Sequence, residues 1–182
     1  MDREPKRFNQ MLRVLFVILF VWFLFNLFVR PAGCAESELS FTWAQPREVY
    51  AAKLDRFLVV YFDRCSPRKL NNARKLAPIV LDAAERHNVN PALIASIVSH
   101  ESTWNYAAIG ALGEVGLMQV NNKTLGQDPA EQLDAGIEML KASYERCGSV
   151  IGAVSYYATG HTCKPYRGAE LRIALAKKIE AL

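Results

Sequence analysis

Asn90-Pro91-Ala92-Leu93-Ile94-Ala95-Ser96-Ile97-Val98-Ser99-His100-Glu101 is the stretch on which the fold turns. Asn90 has the side chain of a helix N-cap, and Pro91 suits the first helical position, where a backbone N–H has no partner to lose. Ile94, Ile97 or Val98, and Glu101 follow at steps of three to four residues, so the spacing predicts a helix from Pro91 to about Glu101 whose apolar stripe runs into a carboxylate. Glu101 should point inward. It falls in the last turn, where the negative end of the helix dipole and partial desolvation both favour the protonated carboxyl. A carboxyl that keeps its proton near neutral pH is a candidate general acid. The competing reading of position alone is a solvated glutamate at a helix end.

Other helical patterns flank this one. Upstream, Leu76, Ile79, Val80 and Ala83 recur at helical spacing, and Pro78 is tolerated in a first turn, so a helix is expected from about Ala77 to His87. Downstream, Asp128-Pro129-Ala130-Glu131 places a cap, an N1 proline and a reciprocating glutamate ahead of Leu133, Ile137, Leu140 and Tyr144, which share one face. A shorter helix is expected from Ser149 to about Ala158, stopped near Gly160. A final one runs from Glu170 to Ala181, with Leu171, Leu175 and Ile179 in register. No hairpin dipeptide lies between alternating strands, and there is no internal repeat. The expected class is mainly α, with the domain at 72–182. Residues 36–71 read as a linker with one packing element, because the apolar run Phe57 to Phe62 fits a buried strand or part of a helix equally well.

The N-terminal 35 residues are of another kind. Val14 to Val29 reads VLFVILFVWFLFNLFV, with Asn26 as the one clearly polar residue and Arg13 and Arg30 as flanks. A helix of that run spans roughly 24 Å against a hydrocarbon core of ~30 Å, and Met11, Leu12 and snorkelling arginines extend it. Basic residues at 3, 6, 7 and 13 precede the run, so the positive-inside tendency leaves the N-terminus in the cytoplasm and exports the remainder. The expectation is a single-pass inner-membrane anchor at 14–29 with the domain in the periplasm. The alternative is a signal segment cleaved after Gly33-Cys34-Ala35, releasing a chain that starts at Glu36. Lipidation at Cys34 is disfavoured by Pro31 and Arg30, and a buried core helix by apolar residues on every face.

Of the formal net charge of +4, the first 35 residues supply +3. The remainder is almost neutral and shows no clustered basic face in sequence, which argues against a nucleic-acid partner. Four cysteines fit an oxidising compartment. Cys147 and Cys163 bracket one short helical segment and are the expected disulfide; Cys34 and Cys65 could form a second only if Cys34 survives processing, and sequence alone leaves three pairings open. No Cys-x-x-Cys or His-x-x-x-His spacing exists, so no metal site is expected.

His100-Glu101-Ser102-Thr103-Trp104-Asn105, then Gly113-Glu114-Val115-Gly116-Leu117-Met118-Gln119-Val120, resembles the soluble lytic transglycosylase domain. In that family a Glu-Ser pair followed by an aromatic and Asn is joined to Gly-Leu-Met-Gln at similar spacing. The likeness continues through Asp128-Pro129, Gln132-Leu133 and Gly136 into Ala153-Val154-Ser155-Tyr156-Tyr157-Ala158-Thr159-Gly160, and covers about Ala73 to Gly160. It departs from the pattern at Tyr106, where Pro is usual, at Gly110, where Ser is common, and at Ala158, where Asn follows the tyrosine.

The resemblance implies a lysozyme-like helical domain behind the N-terminal segment, with Glu101 as catalytic acid and base. It implies Met118 and Gln119 lining the cleft, Tyr157 near the acid, Ser102 as a structural hydrogen-bonder beside it, and Trp104 either stacked on a sugar or stapling the loop to the core. The implied substrate is the glycan strand of peptidoglycan, cleaved between MurNAc and GlcNAc without cofactor. Most glycosidases use two carboxylates and the motifs here supply one, so the implied product is a 1,6-anhydromuramoyl end. Goose-type lysozymes share the fold, which keeps hydrolysis open with Asp128 or Glu114 as a second carboxylate. A non-catalytic glycan-binding scaffold is the reading from another class. Small exported members of the family often open the wall for a secretion, conjugation, pilus or phage apparatus, and that service is the expected context.

Overall fold

The computed structural model describes residues 38–62, 66–122 and 124–182. The expected anchor at 14–29, Cys34 and Cys65 lie outside them. Among the described residues no helix is long and apolar enough to cross a membrane.

Six helices account for most of the described chain: α1 Arg47–Phe62, α2 Pro67–Arg86, α3 Pro91–Glu101, α4 Pro129–Cys147, α5 Val150–Thr159 and α6 Arg167–Glu180. Helix α3 is the centre. Every residue from Pro91 to Ser99 is buried, because the sequence PALIASIVS offers nothing that demands water on any face. Its two serines satisfy themselves on their own helix, Ser96 donating to the Leu93 carbonyl and Ser99 to that of Ala95. Helix α6 packs along α3, α5 along α4, and α1 along α2, while α2 bridges to α4. The 102–128 segment between α3 and α4 carries isolated antiparallel bridges, Ile109 with Val115 and Val115 with Val120.

Local sequence explains the helix starts. Asn90 accepts from the Ala92 N–H, Asp128 from Ala130 and Ser149 from Gly152, and the first two are followed by proline. Gly148 and Gly160 close α4 and α5 in the left-handed region, at φ 68° and 72°. A disulfide joins Cys147, the last residue of α4, to Cys163 beyond α5, with 5.5 Å between the Cα atoms.

Three sequence expectations need correction. Helix α2 begins at Pro67 rather than near Ala77, and Pro78 lies well inside it. Pro78 and Arg74 are both on the exposed face, so the carbonyl that loses its N–H partner turns to water, while Ala73, Leu76, Val80, Leu81, Ala83 and Ala84 bury the opposite side. The run Phe57–Phe62, open in sequence between a buried strand and part of a helix, is the end of α1, whose buried residues are Tyr50, Leu54, Phe57, Leu58 and Phe62; the surrounding segment is therefore no linker. Residues 39–71 thus contribute α1 and the start of α2 to one compact unit, Leu39–Leu182. In α6, which starts at Arg167, Leu171 is 51% exposed and the buried positions are Ala169, Ala176 and Ile179. The inward slot between them, three after Ala169 and four before Ala176, belongs to Arg172.

A polar node fastens the start of α3 to both ends of the unit. Asn90 Nδ2 donates to the Ser40 carbonyl at 3.0 Å and to Glu180 Oε1 at 2.7 Å, while Gln45 Nε2 donates to Glu180 Oε2 at 2.8 Å. Lys53 donates to the backbone carbonyl of Glu180. Asn90 is 1% exposed, so Asn90→Ala removes a cap and leaves buried acceptors unmatched. The expected loss is about 2–3 kcal/mol, read as a shift of the urea midpoint; a loss below about 0.5 kcal/mol would show that the node contributes no net stability.

Candidate active site

Burial of α3 on all sides decides where Glu101 emerges. The helix runs through the core and reaches the surface only in its last turn, with His100 exposed and the Glu101 side chain 17% exposed. The chain then turns sharply. Thr103 and Trp104 sit at φ 52° and 61°, a left-handed pair that a β-branched and a bulky side chain adopt only under constraint. The constraint is visible: Trp104 is 2% exposed and its indole N–H donates to Ser99 Oγ at 2.8 Å. Trp104 therefore staples the turn to the core and offers no face to a sugar. Ser102 caps the helix, its N–H and hydroxyl both donating to the Val98 carbonyl.

Glu101 opens into a pocket of about 330 Å³ whose walls include Glu114, Gln119, Tyr157, Tyr166 and Arg172. Gln119, at φ 49°, is held by its amide N–H bonds to the carbonyls of Gly116, at 2.9 Å, and Ala108, at 3.3 Å. Tyr157 donates to the Met118 carbonyl at 2.6 Å. Its phenol is pushed far above the usual tyrosine range, first by burial and then by the negative charge of Glu101, so it remains a neutral hydroxyl at every physiological pH. Met118 itself does not line the pocket. Its side chain is fully buried, packed where a Cβ on Gly136 would come within 2.6 Å of its sulfur. The pocket receives Gln119 instead, because the turn that buries Met118 directs its neighbour outward.

Arg172 is the residue that sequence reading missed. Its Nη2 donates to Glu101 Oε1 at 2.6 Å and its Nη1 to the Gly168 carbonyl at 2.9 Å, with the side chain 13% exposed. Among the described residues no hydrogen bond reaches Glu101 Oε2. The signal was present as an arginine in register with Ala169, Ala176 and Ile179 on an apolar stripe. His100, exposed at its surface, is pushed below the usual histidine range by partial desolvation of its ring first and by the Arg172 charge second, against an opposing pull from Glu101.

The two candidate second carboxylates separate. Asp128 is exposed and spent on capping α4. Glu114 shares the pocket with Glu101, and its Oε2 accepts from the Leu112 N–H at 3.0 Å. The same oxygen would meet a Cβ on Gly110 at 2.3 Å, so glycine at 110 and the Glu114 carboxylate go together. Among the described residues no group of three or more His, Cys, Asp or Glu could hold a metal ion.

Residues 78–172 match the transglycosylase SLT domain, from the middle of α2 to Arg172. The chain belongs to the transglycosylase SLT domain family. Similar proteins include a membrane-bound lytic murein transglycosylase C of Haemophilus influenzae, 34% identical over 37% of this chain and 24% of its own. The protein of that name from Yersinia enterocolitica is 30% identical over 60% of this chain and 36% of its own, and a transglycosylase of Enterobacteria phage PRD1 is 32% identical over 43% and 32%. The SLT chain thus spans between a quarter and about a third of the length of these relatives. No solved structure matches it significantly.

The Glu101–Arg172 pair can be tested without substrate. A double-mutant cycle of Glu101→Gln and Arg172→Met, followed by urea unfolding, is expected to give a coupling energy of about 1–2 kcal/mol. A value within error of zero would remove the pair from the account of the site.

Proposed function

We propose that this protein is a peptidoglycan lytic transglycosylase that cleaves the β-1,4 bond between MurNAc and GlcNAc, with Glu101 as its acid and base. The observation that carries the reading is the placement of Glu101 at the end of a core helix, in one pocket with Gln119 and Tyr157, within a domain that matches the family. In this reading Arg172 holds Oε1 and leaves Oε2 to carry the proton. Oε2 protonates the leaving glycosidic oxygen, and the substrate's own N-acetyl group stabilises the positive charge at C1. Oε2 then takes the proton of the C6 hydroxyl as O6 closes on C1, giving a 1,6-anhydromuramoyl end. Proton and bond counts balance with one carboxyl used twice.

Glu114 in the same pocket supports a second reading, in which it directs a water to C1 and the products carry reducing ends. Mass spectrometry of muropeptides released from purified sacculi by the full chain in detergent separates the two. Anhydromuramoyl products are expected, with the rate falling about 10²- to 10⁴-fold in Glu101→Gln. Reducing ends lost in Glu114→Gln would establish hydrolysis, and equal release by Glu101→Gln and wild type would sink the role of Glu101.

We infer that residues 14–29 anchor the protein in the inner membrane, with the domain facing the periplasm; the apolar run between Arg13 and Arg30 and the excess of preceding basic residues support this. We further infer service to an envelope-spanning secretion, conjugation, pilus or phage apparatus, a reading supported by the phage relative. Deletion is expected to reduce assembly of such an apparatus encoded beside it, restored by wild type but not by Glu101→Gln; unchanged assembly would refute that service.

A further inference from the structure

A second, larger concavity of about 730 Å³ lies between the first half of α2 and the 102–106 turn. One wall is the first half of α2, with Arg68, Lys69, Asn72 and Lys75; the other is the turn itself, with Thr103 and Tyr106. Arg68, Asn72 and Lys75 recur at steps of four and three, so they share a helix face, and Lys69 adjoins it. All four are exposed, and Tyr106 is 43% exposed.

The described lining of this groove gathers three cations and no carboxylate. Arg47, Arg74, Arg86 and Arg172 each have a carboxylate partner. Arg68, Lys69 and Lys75 have none among the described residues, and no described acidic residue lines the groove. Two of them also stand in the first turn of α2, where the helix dipole disfavours positive charge. Like charges gathered on a concave wall raise the local potential and draw an anion. The groove also includes Ser102, the residue after Glu101, so the two concavities meet along the chain at the end of α3.

We propose that this groove is a subsite for the carboxylate-bearing peptide stem of the substrate, and that the protein cleaves strands with anionic stems in preference to strands whose stems are neutral. The inference rests on the reading of the protein as a peptidoglycan-cleaving enzyme. In such a substrate the backbone sugars at a cleavage site carry no free charge when the stem is attached, and the stem's side-chain and terminal carboxylates are the anions available. Three unpaired cations match them, and Asn72, Thr103 and Tyr106 present hydrogen-bonding groups for the stem's amides.

The test uses the full chain in detergent and two substrates prepared from one batch of strands, one with native stems and one with the stem carboxylates converted to amides. Wild type is expected to favour native strands roughly three- to tenfold in kcat/KM, mostly through KM and less at high salt, as two or three exposed charge pairs would give. In Arg68→Glu with Lys75→Glu the ratio should fall to one or below, and in Arg68→Lys it should persist. Cleavage of both substrates at equal rates by wild type, or a ratio unchanged in the reversed variant, would overturn the subsite and leave the activity standing. Failure of wild type to cleave either substrate would overturn the activity reading and the subsite with it.

Discussion

One buried side-chain amide sets the geometry of the site. Gln132 in α4 is 1% exposed; its Oε1 accepts from the Leu117 N–H, and its Nε2 donates to the carbonyls of Tyr106 and Gly126, all at 3.0 Å. The long connection between α3 and α4 has little regular structure of its own, so these three bonds do what a sheet would do elsewhere. Each backbone group they satisfy would cost about 1–3 kcal/mol if left buried and unpaired. Two glycines make the approach possible. A Cβ on Gly116, at φ 79°, would lie 2.2 Å from the Gln132 amide, and one on Gly136 would strike Met118. Gln132 therefore dictates the path of Gly116 to Gln119, which carries Gln119 into the pocket and offers the Met118 carbonyl to Tyr157.

How much of this was legible in sequence depended on how local the cause was. Helices α3, α4 and α5 announce themselves through Asn90-Pro91, Asp128-Pro129, Ser149 and the glycines at 148 and 160, and each cap acts within a few residues of itself. The start of α2 was hidden because Pro78 normally marks a helix end, and only the tertiary fact that it faces water removes the objection. Helix α1 was obscured by reading Phe57 to Phe62 alone. Val60 is 74% exposed inside that run, so the apolar stretch looks uniform while the burial is not; the periodicity appears only when Tyr50 and Leu54 are included. These misses share one origin, since sequence shows which residues are apolar and not which neighbours they meet.

The same distinction divides the site. Glu101 was legible because an apolar stripe that ends in a carboxylate is a one-helix pattern, and Gln119 and Tyr157 because ordered motifs carried them. Arg172 is 71 residues from Glu101, and a charged residue on a helix is ordinarily assigned to the solvent face. Leu171 took the inward position in the sequence reading because it lies in register with Leu175 and Ile179. The structure reverses the two because a buried carboxylate supplies what an inward arginine needs. Met118 shows the opposite error, a motif residue credited with a cleft role that its burial denies. A basic face formed by Arg68, Lys69 and Lys75 also escaped a search for charge blocks, since it assembles only on a helix surface and against a turn from elsewhere.

The fixed position of the Glu101 carboxyl bears on the chemistry proposed for it. A carboxyl that serves first as acid and then as base must be tolerable in both charge states at one position. Arg172 holds one oxygen of Glu101 through a 2.6 Å hydrogen bond and, among the described residues, leaves the other oxygen without a partner. Because Arg172 is itself fixed by the Gly168 carbonyl, and the turn after Glu101 by the Trp104 staple, the carboxyl can change its charge without changing its place. The left-handed backbone at Thr103 and Trp104 follows from the same requirement: the chain has to leave α3 abruptly for the last residue of a core helix to become the floor of a pocket. The strain is concentrated there and offset by burial of the indole, which is why Trp104 is built into the core beneath the site and not into its wall.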